Sequence, residues 1–589
     1  MLQENDKMKP KDNDLASMSA FAVYSQRKKL TSETPESVET QPKRMKLEKN
    51  VEVSDVRDTE EINVEPSTEE IDHQDFLPEL QEAASSSQKH PGLALNKNVV
   101  PCGNFVAEKS FKWMIFPMSP EKFFDDFWEK NYAHISRNDG KYWNCLYSCE
   151  DFDRILKNNR VEFGKDIDIT EYYDGVRKTV EAEGIANRNA VWSFYQDNCT
   201  IRMKNPQAYH DKLYQLLSHL QEYFGSFMGV NMYLTPPESQ GFAPHYDDIE
   251  AFVLQIEGRK LWKIYAPRNE DEKLPRVSSP NFTQDEIGIP IFEVELKAGD
   301  MLYFPRGFIH QAKTVGDCHS LHLTISTYQN NTWGDLMQVM LPRALEIAMA
   351  NDVEFRESLP KDYLDHVGMA YENKNEAKED NVTELCYELS FAEVCIRFQL
   401  QIKPASPSPS LTRIEKGIQQ KENHFSRKMK KLSKKLLTYL PVDEAADIHA
   451  KNFIHSCLPP AFIAKEKKNS VHGNSYSWRN GVISTESLKL ETRIRLIRKR
   501  IFRMVFEEDS VRLYHTLANS KEYKENEIKY VEADETLIPA VQFLLHSFPN
   551  YIEVADLPLE TDNDKLLFAN DLYNNGFLMT EEPLQKIKE

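Results

Sequence analysis

The chain has 589 residues and a formal net charge of −20 at pH 7, and 40% of its residues are hydrophobic. That length indicates about three or four domains with substantial cores. The negative charge argues against a general nucleic-acid coat protein, which needs Lys and Arg to neutralise phosphates. The N-terminus lacks the apolar segment of a secretory signal, and no apolar run approaches the roughly 20 residues that span a bilayer. We therefore expect a soluble, intracellular protein that does not contact membranes.

The eight cysteines are scattered along the chain, which is typical of proteins in a reducing compartment. Cys145 and Cys149 come closest to a metal-binding pair, but no second pair completes a zinc site. A structural zinc ion is therefore not expected from the cysteine pattern.

Residues 1–95 are rich in Glu, Ser, Lys, Pro and Asn and poor in aromatic residues. Such a segment buries too little apolar surface to offset the entropy of ordering, so we predict a disordered tail. It carries two basic clusters, QRKKL (26–30) and PKRMKLEK (42–49). These are either ordinary solvated charge or a nuclear-import signal.

Ordered structure is predicted from about Phe111 onward. SPEKFFDDFWEKNYAHISR (119–137) has aromatic residues at helical spacing behind Ser119 as an N-cap, and 209–227 predicts a second helix. Seven short β-branched and aromatic runs then follow within about a hundred residues, which predicts an all-β barrel or jelly roll. The Glu257-Gly258 pair is expected to reverse the chain between EAFVLQI and KLWKIYAP, so that these two strands run antiparallel.

After Trp333 the pattern is helical to about residue 460, interrupted by the PASPSPS linker (404–410). The basic helix at 423–440 indicates either a solvated face or a contact to acidic partners. The remainder, 461–589, mixes short helices and strands and suits a compact α+β module of winged-helix type. Residues 531–589 hold twelve acidic and three basic side chains, so we expect a protein-contact or dimer-stabilising domain with no sequence-specific DNA binding.

The triplet His245-Tyr246-Asp247 is a candidate metal site. With 16 histidines in the chain, such a triplet also arises by chance, and a second one, His73-Gln74-Asp75, lies in the predicted disordered tail. At the start of a predicted strand, however, His245 and Asp247 share one face. His310, on another predicted strand, completes the two-histidine, one-carboxylate set of non-haem Fe(II) oxygenases.

Each of these histidines has a plainer interpretation as a hydrogen-bonded core residue, and nothing removes that interpretation for His319 or His322. Lys260 favours the metal site. Its side chain either lies on an edge in water or points inward, where a buried ammonium needs an anionic partner such as 2-oxoglutarate.

The stretches PHYDDIEAFVLQIEGRKLWKIY, GDMLYFPRGFIHQA and HSLHLTISTYQNNTWGDL resemble the Jumonji-C ribosomal oxygenases, and most closely their nucleolar 66-kDa type. These enzymes are Fe(II)- and 2-oxoglutarate-dependent protein hydroxylases that consume O2, and that type is described as a bifunctional histidyl hydroxylase and lysine-specific demethylase. The resemblance extends from about residue 105 to the C-terminus. It implies metal ligands at His245, Asp247 and His310, and a 2-oxoglutarate-binding lysine at Lys260. It further implies a substrate pocket that contains Arg202, Asn231, Tyr233 and Ser326.

The resemblance also implies an α+β architecture with a double-stranded β-helix, cupin-like JmjC barrel at 105–335. A helical dimerisation region at 336–460 and a winged-helix-like C-terminal domain at 461–589 would follow. The implied reaction is hydroxylation of a histidine β-carbon in a large-subunit ribosomal protein, in the nucleus and nucleolus. Demethylation of a histone methyl-lysine, a zinc cupin that catalyses hydrolysis, and a non-catalytic nucleolar or chromatin scaffold are the alternatives.

Overall fold

The computed structural model describes residues 103–365, 367, 424–473, 477–479, 482–484, 488–507, 510–522 and 529–584. The predicted disordered tail with its basic clusters and the 404–410 linker lie outside these residues. Two compact units divide the chain, one formed by the residues up to Thr332 together with those from Ala450, the other by Trp333–His449. None of the helices in the described ranges combines the length and the apolar character that a bilayer crossing requires.

Eleven α-helices occur in the described residues: α1 (Gly103–Ile115), α2 (Pro120–Lys122), α3 (Cys149–Asn158), α4 (Arg188–Gln196), α5 (Asp211–Phe224), α6 (Trp333–Asn351), α7 (424–436), α8 (Val442–Ser456), α9 (Ala464–Lys468), α10 (Ile538–Ser547) and α11 (Asp562–Asn574). Ser119 caps α2 as predicted, because its Oγ accepts a hydrogen bond from the Lys122 amide at 3.2 Å. The helix predicted over 119–137 is shorter than expected. A π-helical turn at Phe123–Phe127 ends it, and the chain then enters a strand.

Ten antiparallel strands form the main sheet: β1 (Ala133–Ile135), β2 (Ile167–Tyr173), β3 (Val176–Val180), β4 (Thr200–Lys204), β5 (Met228–Thr235), β6 (Glu250–Tyr265), β7 (Phe292–Lys297), β8 (Met301–Phe304), β9 (Ile309–Lys313) and β10 (Ser320–Thr327). Their order is β1-β8-β6-β10-β5-β4-β2-β3, and β7 and β9 pair with the second half of β6. This sheet agrees with the predicted α+β fold built on an antiparallel barrel. Strands β1 to β4 were not predicted from the sequence.

The predicted reversal at Glu257-Gly258 is wrong, because β6 is one continuous strand from Glu250 to Tyr265. Gly258 has φ +67°, and the pairing of β6 with β10 changes register beside it, so this segment is a bulge and not a hairpin. A Cβ at position 258 would lie 1.8 Å from the carbonyl oxygen of His319. The part of β6 before the bulge pairs with β8 and β10, and the part after it pairs with β7 and β9. Lys260 lies in the second part, and its side chain points into the barrel.

Helix α5 packs against the barrel through leucines at helical spacing, namely Leu213, Leu216, Leu217 and Leu220, all of them buried. Aromatic side chains from α1 and α5 fill the space between helices and sheet. Phe111 stacks on Tyr223 at a centroid distance of 4.7 Å and meets Phe123 edge to face at 5.5 Å. This core holds the helices to the outside of the sheet.

The C-terminal residues form a mixed module with its own apolar core. Its strands are β11 (Ser477–Arg479), β12 (Val482–Ser484), β13 (Arg493–Leu496), β14 (Phe502–Glu507), β15 (Ser510–His515), β16 (Tyr530–Ala533), β17 (Ile552–Glu553) and β18 (Leu578–Thr580). Buried Arg498 joins the module to α5, since its guanidinium contacts Glu222 at 2.9 Å and Glu466 at 2.7 Å. Tyr214 adds a hydrogen bond from its hydroxyl to the carbonyl of Pro459 at 3.1 Å.

Candidate active site

His245, Asp247 and His310 lie together at one end of the barrel. Nε2 of His245 is 3.9 Å from one carboxylate oxygen of Asp247, and Nε2 of His310 is 3.8 Å from the other. The two imidazole rings lie 4.5 Å apart between centroids. Candidate ligand atoms of all three lie within 4.8 Å of one another, so one ion can contact them all.

Two neighbouring segments position these side chains. His310 lies on β9, as predicted, but His245 and Asp247 precede β6 instead of starting it. His245 pairs with His310 in an isolated antiparallel bridge, and the Gly307 amide donates to the carbonyl of Asp247 at 3.1 Å. The His-x-Asp loop is therefore fixed to the turn that leads into β9.

Backbone carbonyls orient both imidazoles. Nδ1 of His245 lies 2.8 Å from the Ala243 carbonyl oxygen, and Nδ1 of His310 lies 3.2 Å from that of Phe308. A proton on each Nδ1 leaves the Nε2 lone pair directed at the cluster, which is the tautomer that a metal requires. Burial, reinforced by His245, lowers the pKa of His310 to about 4, so this imidazole is neutral at physiological pH.

Lys260 points into the barrel, and only 4% of its surface is exposed. Its Nζ donates a hydrogen bond to Oγ1 of Thr235 at 2.8 Å. Within the part of the chain that the structure describes, no carboxylate lies at ion-pair distance from this amine. Burial lowers the pKa of Lys260 to about 7. A buried amine beside a hydroxyl is suited to bind an added anion.

The pairing of β6 with β9 relates Lys260 to the metal-ligand cluster. Ile264 of β6 is opposite His310, and side chains alternate along a strand, so Lys260, Trp262 and Ile264 share the inner face. The centroid of the Trp262 ring lies 6.2 Å from that of His310 and 5.4 Å from that of His322. An ammonium and a metal-ligand cluster thus face the same interior.

A cavity reaches the cluster from the side of β4, β5 and β10. His245, Asp247 and all four residues of the implied substrate pocket line it, that is, Arg202, Asn231, Tyr233 and Ser326. The strand registers explain this convergence. Arg202 lies opposite Tyr233 across β4 and β5, and Thr324, which shares a face with Ser326, lies opposite Asn231 across β5 and β10.

Arg202 is fixed by a buried ion pair with Asp168 of β2, and Lys204 contacts the same carboxylate at 3.2 Å. Tyr233 stacks on His322 with ring centroids 4.8 Å apart and an interplanar angle of 6°. Both residues are thus held rigidly at the cavity wall, where geometry can select a substrate.

Several residues of the site were not predicted: Asp168, Arg177, Thr235, Phe242, Asp248 and His322. Thr235 follows Asn231 and Tyr233 at two-residue spacing on the same strand, so that alternation was sufficient to find it. Arg177, whose guanidinium carbon lies 4.3 Å from the centre of the Phe242 ring, could be placed only after β2 and β3 were known. Asp248 accepts hydrogen bonds from Ser278 at 2.7 Å and from Gln329 at 3.0 Å. Both partners lie far from Asp248 in the sequence, so no local pattern predicts these contacts.

Family comparisons agree with this geometry. A family model of the JmjC domain matches residues 202–336, which include His245, Asp247, Lys260 and His310. A second model, described as the C-terminal winged helix domain of Ribosomal oxygenase 1, matches residues 458–584. The expected α+β fold, a JmjC barrel followed by a winged-helix domain, is thereby confirmed.

Individual relatives cover most of the chain. Ribosomal oxygenase 1 of Danio rerio is 44% identical over 81% of this chain and 80% of its own length, and that of Homo sapiens is 40% identical over 83% and 70%. A Branchiostoma floridae protein, named bifunctional lysine-specific demethylase and histidyl-hydroxylase NO66, is 37% identical over 87% of this chain and 74% of its own.

A crystal structure of the Escherichia coli ribosomal oxygenase YcfD is 12% identical and covers 79% of this chain and 98% of its own. Its TM-score of 0.35 is too low to support a shared fold. The assignment rests on the sequence relatives and the two family models. The cofactors that the motifs imply, a metal ion with 2-oxoglutarate, are those of JmjC oxygenases. This chain belongs to the Ribosomal oxygenase 1 family of JmjC oxygenases and is an enzyme.

Proposed function

We propose that this enzyme is an Fe(II)- and 2-oxoglutarate-dependent protein oxygenase that hydroxylates the β-carbon of a histidine in a large-subunit ribosomal protein. The observation that carries the proposal is the convergence of His245, Asp247 and His310 within one barrel that also buries Lys260. The names of the relatives, which include a ribosomal oxygenase and a histidyl-hydroxylase, support the substrate class.

The donor set fits ferrous iron. Two neutral imidazole nitrogens and one carboxylate oxygen leave further coordination positions open, which a metal that must bind both co-substrate and O2 requires. A zinc hydrolase could use the same three side chains, but it would have no role for a buried amine whose described partner is a hydroxyl. Lys260 therefore favours oxygenase over hydrolase chemistry.

Iron and 2-oxoglutarate, when bound, supply the oxidising power that converts a C–H bond to C–OH, with succinate and CO2 as co-products. The residues of the chain perform the remaining work. The carbonyls of Ala243 and Phe308 hold the imidazoles with Nε2 toward the cluster. Lys260, steadied by Thr235, is placed to bind the carboxylate of 2-oxoglutarate that is remote from the metal.

We assign the substrate to the cavity beside the cluster. Arg202 and Tyr233 form one wall, and Asn231 and Ser326 offer hydrogen-bonding groups to a peptide. The Phe242 ring lies 5.4 Å from Tyr233 between centroids and offers an aromatic face to an imidazole. A histidine that enters this cavity approaches His245 and Asp247, where the reacting carbon has to lie.

Demethylation of a histone methyl-lysine is the second candidate, because the Branchiostoma floridae relative is named for both reactions. The same oxidation at an N-methyl carbon releases formaldehyde. Mass spectrometry of ribosomal-protein and histone peptides, after incubation with enzyme, Fe(II) and 2-oxoglutarate, separates the two. Addition of one oxygen to a histidine supports hydroxylation, and loss of a methyl group from a lysine supports demethylation. A His245→Ala variant that produced either change would contradict the assigned site.

We also propose that the enzyme is a homodimer that contacts its second copy through α6. Five apolar side chains recur at every fourth position of this helix and are 39% to 84% exposed: Trp333, Met337, Leu341, Leu345 and Met349. An apolar stripe of this length is typical of an interface. A Leu341→Glu, Leu345→Glu double variant should sediment as a monomer, whereas Gln338→Glu, a change of an exposed polar residue on the same helix, should remain dimeric. A double variant that stays dimeric would exclude α6.

The proposed site of action is the nucleus, and within it the nucleolus, where large ribosomal subunits are assembled. The basic clusters at 26–30 and 42–49 are the candidate import signals. Replacement of their Lys and Arg residues by Ser in a fluorescent fusion should leave the protein in the cytoplasm. Unchanged nuclear fluorescence would assign import to another segment.

A further inference from the structure

A second group of metal-ligating side chains lies apart from His245, Asp247 and His310. It contains Cys149, Glu257 and His319, whose ligand atoms all lie within 4.8 Å of one another. Sγ of Cys149 is 3.9 Å from Nε2 of His319, and the same nitrogen is 3.2 Å from Oε2 of Glu257. Nothing in the proposed reaction uses these three residues.

Three elements of the fold bring these residues together. Cys149 is the first residue of α3, Glu257 immediately precedes Gly258 in the β6 bulge, and His319 immediately precedes β10. The Cys149 amide donates to Oε1 of Glu257 at 2.7 Å, and the Arg259 amide donates to the His319 carbonyl at 3.2 Å. The backbone is thus fixed at all three positions.

The cluster is accessible from solvent and chemically suited to one class of ion. The side chains of Glu257 and His319 are 30% and 36% exposed, so an ion can enter. Thiolate, imidazole and carboxylate together are the ligand types of zinc, whereas calcium and magnesium prefer oxygen alone. A water molecule can occupy the fourth coordination position.

We propose that Cys149, Glu257 and His319 form a second metal site that binds Zn²⁺ and joins the start of α3 to the β6 bulge. The sequence offers no second cysteine pair, so a structural zinc ion was not expected from it. The ligands here come from three distant segments, which no local motif reveals. Since Lys260 lies three residues beyond Glu257, the ion would also stabilise the part of β6 that carries this lysine.

Zinc binding must release the thiol proton of Cys149. Burial, reinforced by Glu257, raises the pKa of this thiol well above its ordinary value, so the thiol of the metal-free protein is protonated at neutral pH. A metal competes with that proton, and affinity therefore increases with pH.

Cobalt(II) titration of the full-length protein tests the proposal, because a thiolate ligand gives Co²⁺ an intense sulfur-to-metal charge-transfer band in the near ultraviolet. The active-site cluster contains no thiolate and cannot produce this band. We expect one equivalent of thiolate-bound Co²⁺ in the wild-type protein and in an Asp247→Ala variant. Added Zn²⁺ should displace it and abolish the band.

Cys149→Ser should lose the band, whereas Cys199→Ser, which removes a thiol outside the cluster, should retain it. His319→Ala provides a second variant, which leaves the helix start unchanged, and we expect at least 10-fold weaker Co²⁺ binding. The absence of a thiolate band in the wild-type protein, or its persistence in Cys149→Ser, would overturn the proposal. Glu257 would then only accept the hydrogen bond from the Cys149 amide at the start of α3.

Discussion

His245 and His310 pair directly through their backbones, the His310 amide donating to the His245 carbonyl at 2.8 Å and the His245 amide to the His310 carbonyl at 3.3 Å. This bridge brings together two candidate ligands that are far apart in sequence. Because it joins the loop before β6 to β9, the distance between the two imidazoles depends on backbone hydrogen bonds. The cluster is therefore preorganised, and the metal does not have to assemble it.

The β6 bulge should be intolerant of a side chain at position 258. We expect Gly258→Ala to lower the free energy of unfolding by about 3 kcal/mol or more. The new Cβ would clash with the His319 carbonyl, and alanine would also have to adopt the left-handed backbone conformation of Gly258. Gly288→Ala is a matched control, since Gly288 has φ +71° with nothing near its missing Cβ, and should cost only about 1 kcal/mol. Urea denaturation measures both. Equal losses would contradict the role of the His319 contact.

Lys260 should control the affinity for 2-oxoglutarate. Lys260→Met removes a charge-assisted hydrogen bond of about 1.5–3 kcal/mol, so we expect the apparent dissociation constant to increase about 10- to 150-fold. Lys263→Met is the control, because Lys263 lies on the same strand but pairs with Glu293 at 3.0 Å. Calorimetric titration of the metal-loaded protein measures the constants. An unchanged affinity in Lys260→Met would remove the lysine from the co-substrate site.

Binding of 2-oxoglutarate should be linked to proton uptake. Burial lowers the pKa of Lys260 to about 7, so at about pH 8 most of the amine is neutral before the co-substrate binds. A bound carboxylate favours the ammonium form and raises this pKa, so binding takes up a proton above pH 7 and weakens as the pH increases. Calorimetry in buffers of different ionisation enthalpy measures the uptake. Lys260→Arg should abolish it, because a guanidinium stays charged, and equal uptake in this variant would contradict the assignment.

The strands that carry His310 and Ser326 could be predicted from the sequence, because the alternation of apolar and polar residues on a barrel strand is a local property. The sequence left the direction of the Lys260 side chain open. Its inward position depends on a bulge, and the Glu257-Gly258 pair in that bulge resembles a hairpin turn. Asp168 was missed for a different reason. It matters only because β2 pairs with β4 and places it beside Arg202, and such long-range pairing leaves no local pattern.

The pocket residues should affect peptide substrates without affecting co-substrate binding. Asn231→Ala and Ser326→Ala each remove a polar group from the cavity wall, at positions remote from Lys260. We expect peptide KM to increase by about 5- to 30-fold, in keeping with the loss of about 1–2 kcal/mol per hydrogen bond, and 2-oxoglutarate affinity to be unchanged. Succinate release with and without peptide separates the two effects. If the affinity for 2-oxoglutarate decreased as much as the affinity for the peptide, these residues would belong to the co-substrate site instead.

Anaerobic spectroscopy tests most directly whether His245, Asp247 and His310 hold the metal beside the co-substrate. Addition of 2-oxoglutarate to the Fe(II)-loaded enzyme should produce the visible charge-transfer band of a chelated 2-oxo acid. His245→Ala, Asp247→Ala and His310→Ala should each lack the band, whereas His546→Ala, a change of an exposed histidine in α10, should retain it. Lys260→Met should require more 2-oxoglutarate to reach the same intensity. A band of full intensity in any of the three ligand variants would contradict the central assignment.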